Sequence, residues 1–83
     1  MLNVTIEYCN MWGYLNQALS LSESLRKRFG ANTTLIESSG GVFEVYNNLP
    51  ERVKIFSKKE LGRFPNENEV EKILENWDWE EVK

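Results

Sequence analysis

Hydrophobic and polar positions alternate at the start of the chain and then change their period. Leu2, Val4, Ile6 and Tyr8 alternate with Asn3, Thr5, Glu7 and Cys9, which predicts a strand with one apolar face. Apolar residues then recur at helical spacing, at Tyr14, Ala18, Leu21, Leu25 and Phe29, with Leu15 and Leu19 widening the stripe. The change of period predicts a strand followed by a helix, which Gly30 closes.

Three further strands and a second helix are predicted after Gly30. The strands are expected at about residues 33–37, 42–46 and 52–56. A loop is expected over residues 58–65. Asn66 with Glu69 resembles a capping box, and a helical stripe follows at Val70, Ile73, Leu74 and Trp77. The element order is therefore β-α-β-β-β-α, in a single α/β domain that spans residues 1–83.

This order brings three loops to one end of the predicted sheet. A helix joins the first two strands, so they should run parallel with a right-handed crossover. Residues 9–13, 38–41 and 58–65 then meet at the carboxyl ends of those strands. Ligands usually bind at that end of an open α/β sheet, which makes the three loops the candidate site.

Composition removes several classes of function. The chain has no histidine and a single cysteine, so a structural zinc site lacks its ligands and an internal disulfide cannot form. We expect no metal and no other cofactor. The net charge of −3 argues against nucleic acid as a partner, and no apolar run is long enough to span a membrane. Met1 leads directly into a strand pattern without a leader, and we expect a cytoplasmic protein.

Several short motifs, taken in order, resemble the selenoprotein W-like (Rdx) family of thioredoxin-fold proteins. The fragments are Tyr8-Cys9 followed by Gly13-Tyr14, then residues 40–45, then Ser57-Lys58, and finally residues 62–65. The resemblance implies a thioredoxin-like α+β fold with a four-stranded mixed sheet in the order two-one-three-four and two helices. It also implies a role in thiol redox chemistry. The family motif has a second cysteine or a selenocysteine three residues after the first, and here Trp12 stands in that place.

Cys9 is the candidate redox group. It lies just before the first helix, where the unpaired N–H groups and the helix dipole favour an anion. Lys58 and Arg63 are expected at the same end of the sheet, and their positive charge also favours a thiolate. The alternative is that Cys9 is a buried, inert packing residue.

The other candidate residues form a binding surface around Cys9. We expect Asn10, Met11, Trp12 and Gly13 to contribute the first loop, and Gly40, Gly41, Lys58 and Arg63 the other two. Trp12 is either an exposed platform for a partner or a filler between the first helix and the loop 58–65. The two glycines either admit the backbone of a peptide or of glutathione, or only supply the positive φ of a tight turn, which is the commoner case.

Two functions remain open on this sequence, and the first is slightly favoured because Cys9 is retained at the motif position. In the first, Cys9 forms a mixed disulfide with glutathione, another small thiol or a partner protein, which gives a one-cysteine thiol–disulfide oxidoreductase. In the second, the chain has lost catalysis and binds a partner protein through the loop from Cys9 to Trp12. A weaker third possibility is a covalent dimer through an exposed Cys9.

Overall fold

The computed structural model describes residues 2–48 and 51–77. The strands are β1 (Asn3–Cys9), β2 (Asn32–Ser38), β3 (Phe43–Asn47) and β4 (Val53–Ser57). The helices are α1 (Leu15–Phe29), α2 (Lys58–Leu61) and α3 (Glu69–Glu75). Each predicted strand is present, with ends within a residue or so of those expected from the hydrophobic pattern.

The four strands form one mixed sheet in the order β2-β1-β3-β4. β1 runs parallel to β2, and the pairs β1–β3 and β3–β4 are antiparallel. The register places Ile6 opposite both Leu35 and Val45, so apolar residues of three strands share one face. The predicted sheet order and the parallel first pair are confirmed.

The core lies between this apolar face and the helices α1 and α3. Val4, Ile6 and Tyr8 of β1 are buried there. The helices contribute the buried residues Ala18, Leu21, Leu25, Val70 and Leu74. Ser24 of α1 donates a hydrogen bond to Glu71 of α3, so the two helices lie side by side on the same face. Neither α1 nor α3 covers the opposite face of the sheet, where the backbone N–H of Lys59 in α2 donates to the carboxylate of Glu44.

The structure corrects three details of the sequence interpretation. The segment predicted as a loop begins with the short helix α2, so the described chain has three helices and not two. Leu19 does not widen the core stripe but is exposed, because it lies about 100° around the helix from Ala18, which faces the sheet. Asn68, and not Asn66, holds the N-cap position of α3, and its side chain makes no capping bond. The carboxylate of Glu69 accepts the backbone N–H of Asn66, which is half of the expected capping box.

The predicted end of α1 is confirmed. Gly30 closes α1 in a left-handed conformation, and its N–H donates to the carbonyl oxygen of Arg26. Among residues 2–48 and 51–77, no helix has the length and apolar character needed to cross a bilayer.

Candidate functional site

The three predicted loops do meet at one end of the sheet, and Cys9 is the last residue of β1 there. Its N–H donates to the carbonyl oxygen of Val42, and its own carbonyl oxygen accepts the N–H of Tyr14. These bonds fasten the strand end to the turn before β3 on one side and to the start of α1 on the other. The cysteine is buried, with only 1% of its surface exposed. Its thiol is therefore out of reach of a solvent-borne disulfide unless the surrounding loops move.

The loop after Cys9 is held at both of its ends. The side-chain amide of Asn10 donates a hydrogen bond of 2.5 Å to the carboxylate of Glu37 at the end of β2. The N–H of Gly13 donates to the carbonyl oxygen of Asn10, and Gly13 adopts a φ of 77°, which turns the chain into α1. Between these fixed points, Met11 projects outward and is 85% exposed.

Trp12 lies against the glycine turn before β3. A Cβ placed on Gly41 would lie 2.7 Å from Cζ3 of Trp12, so the indole packs where a larger residue has its side chain. The tryptophan is still 65% exposed. Trp12 is therefore an exposed side chain that packs on Gly41, and it does not fill a space between α1 and the segment 58–65.

Gly40 and Gly41 both have positive φ, of 77° and 72°, as a tight turn requires. The expected structural role of the pair is thus present. At Gly41 the absence of a side chain has a second use, because it admits the indole of Trp12.

An aromatic row connects Trp12 to the core. Trp12 meets Tyr14 edge-on with ring centroids 6.2 Å apart, and Tyr14 meets Phe64 at 4.7 Å. Phe64 in turn meets the buried Phe43 at 5.3 Å. The ammonium group of Lys58 lies 5.4 Å from the ring centroid of Tyr14 and 5.3 Å from that of Phe64. Lys58 therefore lies beside Tyr14, which follows the Cys9 loop.

Arg63 lies in the segment after α2, and its guanidinium is bound to a residue of α3. Its guanidinium forms a two-pronged ion pair with the carboxylate of Glu69, at 2.7 and 3.0 Å, and lies 5.7 Å from the ring centroid of Phe56. The bonds from Arg63 and from the N–H of Asn66 hold the pKa of Glu69 below its ordinary value. The ion pair likewise raises the pKa of Arg63. These contacts join the segment after α2 to α3. The guanidinium of Arg63 is paired with Glu69 and is therefore not available to the Cys9 loop.

The sequence interpretation missed part of this site. Tyr14, Phe43 and Phe64 come from three separate segments, and each was assigned only to the core or to a family motif. Glu37 was also missed as the partner of Asn10, although a polar residue at the end of β2 was a signal for it. Among the described residues, no group of His, Cys, Asp and Glu is arranged to hold a metal ion.

The fold and the position of the motif loop define the class of protein. A four-stranded mixed sheet with its two longer helices on one face, and a cysteine-bearing loop between β1 and α1, is a thioredoxin-like α+β domain. The sequence matches the Rdx family over residues 3–76. The chain therefore belongs to the Rdx family.

Solved structures agree with this fold. A selenoprotein W-related protein from Vibrio cholerae superposes with a TM-score of 0.78 at 24% identity, over 90% of this chain and 94% of that one. A protein from Bordetella parapertussis gives a TM-score of 0.79 at 22% identity, over 90% of this chain and 95% of that one. A search of curated proteins finds no match by sequence.

Proposed function

We propose that this chain is a protein-binding module of thioredoxin fold that uses the loop from Cys9 to Trp12 to contact a partner protein. One observation carries the proposal: Met11 and Trp12 are 85% and 65% exposed, whereas Cys9 is 1% exposed. The loop thus presents exposed apolar surface to a partner, whereas the thiol of Cys9 is buried.

The way the loop is held supports binding. The Asn10–Glu37 hydrogen bond fixes its start, and the seat of Trp12 on Gly41 fixes its end. A surface that is already ordered loses less conformational entropy on association, so more of the contact energy appears as affinity. Tryptophan is among the commonest anchors of protein interfaces, and the flexible thioether of methionine adapts to uneven partner surfaces.

The test of this proposal is capture of partner proteins by the immobilised chain, with the bound proteins identified and quantified. We expect Trp12→Ala to reduce the specific partner at least tenfold. Leu61→Ala is the matched control, because Leu61 is also a large exposed apolar residue and lies on α2. Equal capture by the wild type and Trp12→Ala would contradict the proposal.

A second candidate function is one-cysteine redox chemistry, which family membership and the retention of Cys9 at the motif position favour. The Cys9 thiolate would attack a sulfur of a glutathione-containing disulfide. A mixed disulfide would form, and the other sulfur would leave as a thiolate. A second glutathione thiolate would then attack the glutathione sulfur of the mixed disulfide and release Cys9. Because Cys9 is buried, the loop would have to open before the first step.

Alkylation by iodoacetamide tests the second candidate. If the redox function holds, the native protein reacts at pH 7 at least as fast as a free cysteine peptide, and Cys9→Ser abolishes thiol-dependent turnover. If the thiol is a packing residue, the native protein reacts at least a hundredfold more slowly than the same protein in denaturant. That outcome leaves the binding proposal untouched, since Cys9 makes no contact that the binding proposal requires.

The proposed setting of either function is the cytoplasm, without a nucleic-acid or membrane partner. The reasons are the single cysteine and the net charge of −3. Detection of the protein with a specific antibody in separated cell fractions tests the compartment.

A further inference from the structure

Strand β2 is one of the two edges of the sheet in the described part of the chain. Asn32 donates its N–H to the carbonyl oxygen of Leu2, so the backbone groups of alternate residues of β2 point toward β1. The N–H and C=O groups of Thr33, Leu35 and Glu37 therefore point outward. These groups have no hydrogen-bond partner among the described residues. They form a row of unpaired donors and acceptors along this edge.

The two edges of the sheet differ in their protection against pairing with a further strand. β4 has five residues, carries Lys54, and shifts its register with β3 between Val45 and Tyr46. Short length, a bulge and a lysine are devices that prevent an edge strand from adding another strand. β2 has seven residues in an uninterrupted register and contains neither proline nor lysine. The edge at β2 is therefore the one that can accept another strand.

An exposed leucine lies beside this edge. The hydroxyls of Ser22 in α1 and Thr33 in β2 are hydrogen-bonded, so this flank of α1 is next to β2. Leu19 lies one turn before Ser22 on the same flank and is 48% exposed. Because α1 and β2 run in opposite directions, that turn brings Leu19 to about the level of Leu35. The unpaired backbone groups of β2 thus have exposed apolar surface next to them.

We propose that two copies of this chain associate through β2 and form one continuous sheet. The two β2 strands run antiparallel about a twofold axis at Leu35. In this register Leu35 pairs with Leu35 of the second copy and Thr33 pairs with its Glu37, so every outward N–H and C=O group of these residues is bonded. No like charges face each other, because the one charged residue of the strand, Glu37, faces a threonine. The strand is complementary to itself, and this is the reason for a second copy as the partner.

The pairing extends the sheet sideways and covers neither of its faces. Leu19 and Leu35 of both copies come together near the axis, and burial of their apolar surface adds to the backbone bonds. Because the strands are antiparallel, the two Cys9 loops lie at opposite ends of the dimer, and the surface at Met11 and Trp12 stays accessible. The contact is small, so we expect the association to be reversible and dependent on concentration.

Sedimentation equilibrium of the full chain tests the dimer, and a reductant in the buffer excludes a disulfide through Cys9. We expect the average molar mass to rise from that of one chain toward that of two between about 10 µM and about 1 mM protein. Leu19→Lys should raise the dissociation constant at least tenfold, because it removes apolar surface and places two like charges near the axis. Leu61→Lys is the matched control, because it makes the same change at an exposed leucine on α2, away from β2.

Amide hydrogen exchange of the wild type tests the register and needs no variant. The N–H groups of Thr33, Leu35 and Glu37 should exchange at least tenfold more slowly at the higher concentration. The alternate N–H groups of β2, which bond to β1, should be protected at both concentrations. A mass of one chain at about 1 mM would overturn the proposal. A dimer in which those three groups stay unprotected, or which Leu19→Lys and Leu61→Lys weaken equally, would also overturn it, because the contact would then lie elsewhere.

Discussion

At Gly41 the conformation of a single residue and the position of a tryptophan depend on each other. The backbone has a φ of 72°, which residues with a side chain rarely adopt, and the indole of Trp12 occupies the space that a Cβ would fill. Gly40 has a similar φ of 77° but nothing within 4 Å of its missing side chain. The two neighbouring glycines thus separate the cost of the backbone conformation from the cost of displacing Trp12.

We expect Gly41→Ala to destabilise the domain more than Gly40→Ala does. Placing alanine at positive φ costs about 1–2 kcal/mol at either position. At Gly41, crowding of the indole adds about 1 kcal/mol. Urea unfolding of the two variants, in the wild-type and Trp12→Ala backgrounds, measures the difference. It should disappear when Trp12 is absent, and equal costs in the wild-type background would show that the indole does not rest on Gly41 in solution.

The residues around Cys9 also show why sequence alone could not decide its role. The sequence places Cys9, Met11 and Trp12 in one loop but leaves open which of them faces solvent. That choice depends on the backbone bonds of Cys9 to Val42 and Tyr14 and on the turn at Gly13. These groups come from two segments that are far apart in the sequence, so no local pattern encodes the burial of the thiol.

At the level of elements, long periodic segments were predictable and short ones were not. β1 and α1 have clear periods of two and 3.6 residues, and α1 has its stop signal at Gly30. α2 has only four residues, Lys58–Leu61, which is too few for a periodic stripe. Its local signals are its two caps. The hydroxyl of Ser57 accepts the N–H of Glu60 at the start, and Gly62 ends the helix in a left-handed conformation.

The link between α2 and α3 gives a prediction about pH. The bonds from Arg63 and Asn66 lower the pKa of Glu69, so its carboxylate stabilises the folded state above its ordinary pKa of 4.5. That contribution is lost as the pH falls from there through the lower pKa of the folded state. We expect Glu69→Gln to be slightly less stable than the wild type at pH 7 and equally stable at acid pH.

Urea unfolding of the wild type and Glu69→Gln between pH 7 and pH 2 measures this effect. Glu67→Gln is the matched control, because Glu67 is a neighbouring exposed carboxylate without an ion pair among the described residues. The stability of Glu67→Gln should change with pH in the same way as that of the wild type between pH 7 and pH 2. A Glu69→Gln deficit that persists unchanged at pH 2 would place its origin in packing and not in the ion pair.

On the scale of the whole molecule, the sheet has two unlike faces. α1 and α3 cover the face that carries Ile6, and the alternation of β2 turns Ile36 to the other face. Ile6 has no exposed surface, whereas Ile36 is 42% exposed. A domain of 83 residues is stabilised by about 4–12 kcal/mol in total, so one fully buried side chain contributes a large part of it.

The two isoleucines therefore provide a test of the two-layer architecture. Ile6→Ala should cost about 2–5 kcal/mol, because it leaves a cavity against the helices. Ile36→Ala should cost less than about 1 kcal/mol, because its side chain is already partly solvated. Denaturant midpoints of both variants, measured at two protein concentrations, check this. If Ile36→Ala were as costly as Ile6→Ala and its effect grew with concentration, the open face of the sheet would be covered by a second copy of the chain, and the single-copy description would be wrong.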